Sequence, residues 1–286
     1  VLPILKHLAT TEEVVVRDAA VDSINKIVEN MSPDVVCDEM VSVIEDLFHD
    51  DWFTPRVSSA SLISKVYQKI VSLTGTRDVS EQLKSLRDCF FSLCKDDTPM
   101  VRRAAAKNIS AVFAVFEDEY IGLFVAQYDE FMRSDDEAIK LTLLSFTKEL
   151  LQRLKEEADR AKVLALFQNA MESRSYKIRE AAALEVGAVA KILGSAAFSQ
   201  QLLETFVNLL KDNNTEVKKN AIKQLTPLSA VLPREAFLSK LFPFISTLAT
   251  DTNAAITEQI ASVVIDLAPA FPEKTAALFE IGRASC

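Results

Sequence analysis

The chain has 286 residues, 49% of them hydrophobic and 26% charged, with only 5 glycines and a formal net charge of −9. That much apolar surface supports a large core, and the scarcity of glycine argues against strands joined by tight hairpin turns. The acidic balance argues against a nucleic-acid surface, which needs clustered Lys and Arg, and no apolar run approaches the ~18 residues of a membrane span.

Taken in chain order, the segments form pairs of amphipathic helices. VLPILKHLA has no basic region ahead of it, so it reads as a first helix inside a larger protein and not as a signal peptide. EEVVVRDAAVDSI follows as its second helix. DEMVSVIEDLF precedes DWFTPRVSSASLI, LKSLRDCFFSLC precedes DTPMVRRAAAKNI, and YIGLFVAQYDEFM precedes DDEAIKLTLLSF. KVLALFQNAM then leads to RSYKIREAAALEV, QQLLETFVNLL to NNTEVKKNAIKQL, and FLSKLFPFISTLA to TNAAITEQIASVV. The pairs cover about 1–30, 33–71, 80–116, 118–153, 155–194, 196–231 and 234–270. PEKTAALFEIG suggests a partial eighth pair at 272–281, and residues 282–286 read as a truncation point or a vector-derived tail.

An anchor column runs through the second helices: Arg17, Arg56, Arg102, Lys140, Arg179, Lys218 and Thr257. Successive anchors are 39, 46, 38, 39, 39 and 39 residues apart. Apolar residues lie one before every anchor and seven after all but one, where Thr147 stands, and Ala20, Ala60, Ala105, Ala106, Ala182, Ala183, Ala221 and Ala261 lie three or four after it. These offsets share one side of a 3.6-period helix, and small Ala there lets a neighbouring helix approach closely. Six residues before each anchor stand Thr11, Asp50, Asp96, Ser134, Ser173, Asp212 and Asp251, all residue types that cap helix N-termini. The expected architecture is all-α: an α-solenoid of about seven antiparallel pairs forming a single domain over 1–281, each pair burying a face against the next. The one long spacing points to a surface loop at residues 70–82, around Gly75.

A period near 39 with a Val-Arg start to the second helix is similar to HEAT repeats. DDWFTPR, DDTPMVRRAAA, VLPILKHLATTEEVVVRDAAV and LATDTNAAITEQIASVVIDLAP resemble internal repeats of the scaffold (A-type) subunits of protein phosphatase type 2A. The resemblance implies a non-catalytic scaffold whose intra-repeat turns form a ridge. Regulatory (B-type) subunits would dock on the part represented here. The catalytic subunit would dock mostly beyond it and bind this chain weakly or not at all. The resemblance also implies a cytoplasmic protein, with the nucleus open, and no cofactor. The 70–82 insertion, Tyr176 where the family carries Trp, and Thr257 in the basic column are departures from the pattern.

The docking candidates are Glu12, Glu13, Trp52, Phe53, Thr98, Pro99, Met100, Arg103, Asp136, Glu137, Tyr176 and Asn214. Trp52, the single tryptophan, is either an anchor for a partner or a cap over the gap between neighbouring pairs. The basic anchors and the residues Asp50, Asp96, Asp212 and Asp251 suggest a structural ladder, with Arg102 paired to Asp96 or Asp97. A different scaffold or transport receptor binding on its concave face, or a plain spacer, are the competing readings. Catalysis is not expected: His7 and His49 sit in first helices away from any nucleophile, and no phosphate-binding glycine motif is present. Cys37, Cys89, Cys94 and Cys286 lack metal-site spacing and read as free thiols.

Overall fold

A computed structural model describes residues 1–274, and among these there are helices and turns but no strand. The expected partial pair at 272–281 lies outside the described residues from Thr275 onward, as do residues 282–286. The backbone divides into two compact units, Val1–Thr142 and Leu143–Cys286. Each is a stack of antiparallel helix pairs, which places the chain in the α-solenoid class.

In the first unit, α1 (Leu2–Leu8) pairs with α2 (Val14–Asn30). The next first helix is α3 (Pro33–Val35), a π-helical turn at Val36–Met40 and α4 (Val41–Phe48); its partner is α5 (Phe53–Val71). Then come α6 (Ser80–Cys94) with α7 (Pro99–Val115), and α8 (Ile121–Arg133) with α9 (Glu137–Arg153), in which the division between the units falls. The second unit holds α10 (Glu157–Met171) with α11 (Tyr176–Gln201), then α12 (Leu203–Leu210) with α13 (Thr215–Lys223) and α14 (Leu225–Val231). It continues through α15 (Arg234–Lys240) and α16 (Phe242–Leu248) to α17 (Ala254–Leu267).

The second helices pack on one another, α2 on α5, α5 on α7, α11 on α13 and α13 on α17, and this contact line is where the small residues fall. Ala20, Ala60, Ala105 and Ala106 are buried in the first unit, and Ala182, Ala183 and Ala221 in the second. Two column members depart from this. Ala261 is exposed, and Val16, one residue before its anchor, is 39% exposed where Val101, Ile178, Val217 and Ile256 are enclosed. Gly187 shows how close the approach becomes, because a Cβ there would stand 2.7 Å from both the Gln224 Oε1 and the Pro227 Cγ.

Two sequence expectations need correction. The stretch at 70–82 is not all loop: α5 runs through Val71, α6 starts at Ser80, and Leu73 and Val79 are buried beneath the connecting turn. Gly75 supplies its left-handed residue (φ 95°). Membrane-length apolarity does occur once among the described residues, in Tyr176–Gln201, where an 18-residue window has a mean hydropathy of 1.5. That element is two helices run together, since Gly194 has φ 77° and ψ 167° inside it.

Candidate protein-docking site

Five of the intra-repeat turns are built alike, while at the other two Thr11 and Ser134 donate to the carbonyls of Leu8 and Phe131. An oxygen of the residue six before the anchor accepts the amide two residues on: Asp50 from Trp52 at 2.8 Å, Asp96 from Thr98 at 2.8 Å, and Ser173 from Ser175 at 3.2 Å. Asp212 accepts from Asn214 at 2.8 Å and Asp251 from Asn253 at 2.9 Å. These residues therefore close Asx-type turns and do not cap the helices, which corrects the sequence assignment. The N-cap positions lie two residues later, at Trp52, Thr98, Asn214 and Asn253. Asn214 caps with its side chain, accepting the amides of Glu216 and Val217 at 3.0 and 3.2 Å. Asp136 does the same for Ala138 and Ile139 at 3.1 and 3.3 Å.

The anchor side chains tie the turns down from within. Nη1 of each arginine donates to the two backbone carbonyls six and five residues before it. The distances are 2.9 and 3.2 Å for Arg17, 2.9 and 3.0 Å for Arg56, 2.6 and 3.0 Å for Arg102, and 2.7 and 3.1 Å for Arg179. Arg102 thus meets Asp96 and Asp97 through their carbonyls and not their carboxylates.

The other edge of the guanidinium reaches the next turn. Arg56 grips Asp96 with Nε at 2.7 Å and Nη2 at 3.2 Å, and Arg179 grips Asp212 at 2.6 and 3.0 Å. Lys218 reaches Asp251 at 3.4 Å. The turn after Arg102 carries Ser134 in this column, and the tie moves one residue along, from Arg103 Nε to Asp136 Oδ2 at 2.8 Å. Lys140, before Ser173 in the column, is half-buried, and Thr257 bonds the Ala254 carbonyl of its own helix at 3.0 Å.

Burial alone would push the Asp96, Asp136 and Asp212 carboxyls up. The guanidinium and backbone amide facing each outweigh it and hold all three below the usual carboxylate range. Asp251 is also held low, first by the Asn253 amide and then by Lys218.

On this framework the candidate docking residues separate into two groups. Trp52 is 54% exposed and Met100 51%, on successive turns of the first unit, with Pro99, Glu12 and Glu13 also exposed. Tyr176 is 44% exposed on a turn of the second unit. Phe53, Thr98, Asp136, Glu137 and Asn214 are half-buried, and Arg103 is exposed but engaged with Asp136. The Trp52 ring lies 5.5 Å from that of Phe53, tilted by 44°. The indole therefore stands on a half-buried aromatic base and leaves much of its surface in solvent.

A second polar cluster in the first unit has no periodic signal and was invisible in the sequence. The buried Tyr67 hydroxyl donates to Glu117 Oε2 at 2.5 Å and accepts from Arg87 Nη1 at 2.7 Å, and burial raises its phenol pKa. The Arg87 guanidinium lies 4.0 Å over the Tyr120 ring. An open cleft of about 540 Å³ adjoins the cluster under the turn at Gly75. Among the described residues no group of three or more His, Cys, Asp and Glu side chains could hold a metal ion, and Cys37, Cys89 and Cys94 are buried free thiols.

Comparison with known proteins matches residues 195–271 to a PPP2R1A-like HEAT repeat family and residues 86–116 to a HEAT repeat family. The A-type regulatory subunit of protein phosphatase PP2A from Schizosaccharomyces pombe is 32% identical over 200 residues, 69% of this chain and 32% of the yeast protein. The beta isoform of the human 65 kDa A-type regulatory subunit of serine/threonine-protein phosphatase 2A is 41% identical over 117 residues, 41% of this chain and 18% of the human protein. The chain thus spans about a third or less of the length of these curated relatives. Among solved structures, importin beta in an ammonium sulfate condition superposes with a TM-score of 0.59 at 11% identity, covering 94% of this chain and 34% of its own. That likeness concerns the fold alone.

Proposed function

Because the chain belongs to the HEAT-repeat family of A-type protein phosphatase 2A subunits, we propose that it is a non-catalytic scaffold segment whose intra-repeat turns dock a phosphatase regulatory (B-type) subunit. The observation that carries this reading is the exposure of Trp52 and Met100 on successive turns whose backbones are pinned by the anchor arginines. Large apolar side chains held on a rigid edge lose little entropy on binding and are typical interface anchors. Exposed Glu12, Glu13, Asp51 and Asp97 flank them, so the partner surface combines apolar pockets with a basic rim.

The test is the affinity of a purified regulatory subunit for the chain and for its Trp52→Ala and Pro99→Arg variants, with circular dichroism confirming unchanged helicity. Loss of the indole should weaken binding by about thirtyfold, a hot-spot-sized effect. Unaltered affinity in both variants would leave the turns without a docking role and favour a spacer. The isolated catalytic subunit should bind weakly or not at all, and tight binding would contradict the assignment of this segment to the regulatory platform.

A further inference from the structure

Among the described residues the sulfur-bearing side chains are shielded, with one clear exception. Cys37, Cys89 and Cys94 are buried, and burial raises the thiols of all three, that of Cys89 to about 11. Little thiolate, the form that reacts with a peroxide, is therefore present at neutral pH. Of the 5 methionines, Met40, Met132 and Met171 are buried and Met31 is half-buried. Met100 is 51% exposed.

Its position gives that exposure a consequence. Met100 is the second residue of α7, on the turn next to that of Trp52. Arg102 Nη1 pins this turn through the Asp96 and Asp97 carbonyls at 2.6 and 3.0 Å, and Arg56 ties it to the Trp52 turn through Asp96 at 2.7 Å. The thioether is thus held in solvent on fixed backbone. In the other repeats the same position carries Val15, Thr54, Ala138, Lys177, Glu216 and Ala255. Side chains so different in size, charge and branching show that the fold makes no demand for a thioether there, and none of them is attacked by a peroxide.

We propose that Met100 is a reversible oxidation site, at which a peroxide weakens the docking of the regulatory subunit. The proposal rests on the turns being a docking edge and adds to that reading its regulation. Hydrogen peroxide transfers one oxygen atom to Met100 Sδ: an S–O bond forms, the O–O bond breaks, the thioether loses two electrons, and the oxidant leaves as water. The product is a polar, chiral sulfoxide where an apolar group stood. A partner surface shaped for the thioether must then desolvate a strong acceptor without supplying a donor, which costs binding. The fold is spared, because the side chain lies outside the core and the ties of the turn run through Arg56, Asp96 and Arg102. The change is undone by the two methionine sulfoxide reductases, one for each epimer.

The test treats the full chain with hydrogen peroxide at neutral pH, in a Cys286→Ser background because that thiol lies outside the described residues. Peptide mapping by mass spectrometry follows each methionine and Trp52, and the regulatory subunit is added only after catalase has destroyed the peroxide. Met100 should convert first, with helicity unchanged by circular dichroism. Affinity for the regulatory subunit should fall by about tenfold and return after treatment with both reductases. Met100→Leu, whatever its starting affinity, should lose none of it to the same treatment. The switch is overturned if another methionine converts as fast as Met100, or if affinity survives complete conversion of Met100. It is equally overturned if the reductases restore nothing, or if Met100→Leu is weakened as much. The docking reading is judged separately: if Trp52→Ala still weakens binding, that reading stands and only the switch falls.

Discussion

Changing Asp96 to Asn isolates the strongest ladder step from the turn that carries it. The asparagine Oδ1 can still accept the Thr98 amide, so the Asx turn survives, while the charge and one acceptor facing Arg56 are lost. The Arg56 and Asp96 side chains are only 17% and 11% exposed, compared with 37% and 58% for the Arg77–Asp38 pair on the surface. An exposed pair contributes about 0–1 kcal/mol, whereas a shielded, bidentate, charge-assisted pair contributes about 1.5–3 kcal/mol. Arg56 keeps two carbonyl partners on Nη1, so the loss should fall short of the roughly 3–5 kcal/mol seen when a fully buried charge is stranded. We therefore expect about 2 kcal/mol.

Stacked repeats need not unfold in one step, so a single denaturation midpoint would blur this effect. Native-state hydrogen exchange resolves it, as a roughly thirtyfold loss of protection confined to α5 and α7. Combining Asp96→Asn with Arg56→Gln in a double-mutant cycle separates the pair from general disruption. A change below about 0.5 kcal/mol with no coupling would show that the ladder is an ordinary surface pair and refute the argument.

Other outcomes follow from the same contacts. Because the Asp96, Asp136, Asp212 and Asp251 carboxyls are held low, their stabilisation should be complete above the ordinary carboxyl pKa of ~4 and lost as pH falls through their folded-state values. Asp212→Asn should flatten that acid limb in a pH series of exchange measurements. Gly187→Ala should cost about 1–3 kcal/mol by driving a Cβ into Gln224 and Pro227, read as lost protection in α11 and α14. Tyr67→Phe should cost about 1–2 kcal/mol by stripping Arg87 and Glu117 of a shared partner, without changing how tightly the regulatory subunit binds, since the cluster lies off the turns.

Features that recur every 39 residues were legible in the sequence; features made once were not. The alanine line and the basic column repeat, and a side chain that repeats announces its environment. The capping assignment failed for a definite reason. Asp and Ser suit both an Asx turn and an N-cap, and the two positions here are two residues apart, so composition alone could not separate them. The Tyr67–Arg87–Glu117–Tyr120 cluster draws its members from three repeats, each residue once, and no column records it. The 70–82 stretch looked like loop because of its glycine and threonines, and most of it is an exposed turn, but nothing periodic marked Leu73 and Val79 as the two side chains that bury beneath it.

The turn column also explains why the turns differ from one another. Where it carries Asp after an arginine, as at Asp96 and Asp212, the carboxylate is consumed in holding two repeats together and has little left to offer a partner. Where it carries Ser134, the tie moves to Arg103 and Asp136, which makes those two residues framework even though the sequence offered both as docking candidates. Only at the Trp52 turn does the aspartate stay in solvent, and there the arginine behind it also lacks an acceptor. The most exposed large aromatic among the described residues thus follows an exposed carboxylate that holds the turn through the Trp52 amide and makes no ion pair. Partner selectivity should therefore concentrate at this one turn, and substitution of Asp50 should alter it more than an equal change of charge at Asp97 or Glu13, as measured by regulatory-subunit affinity.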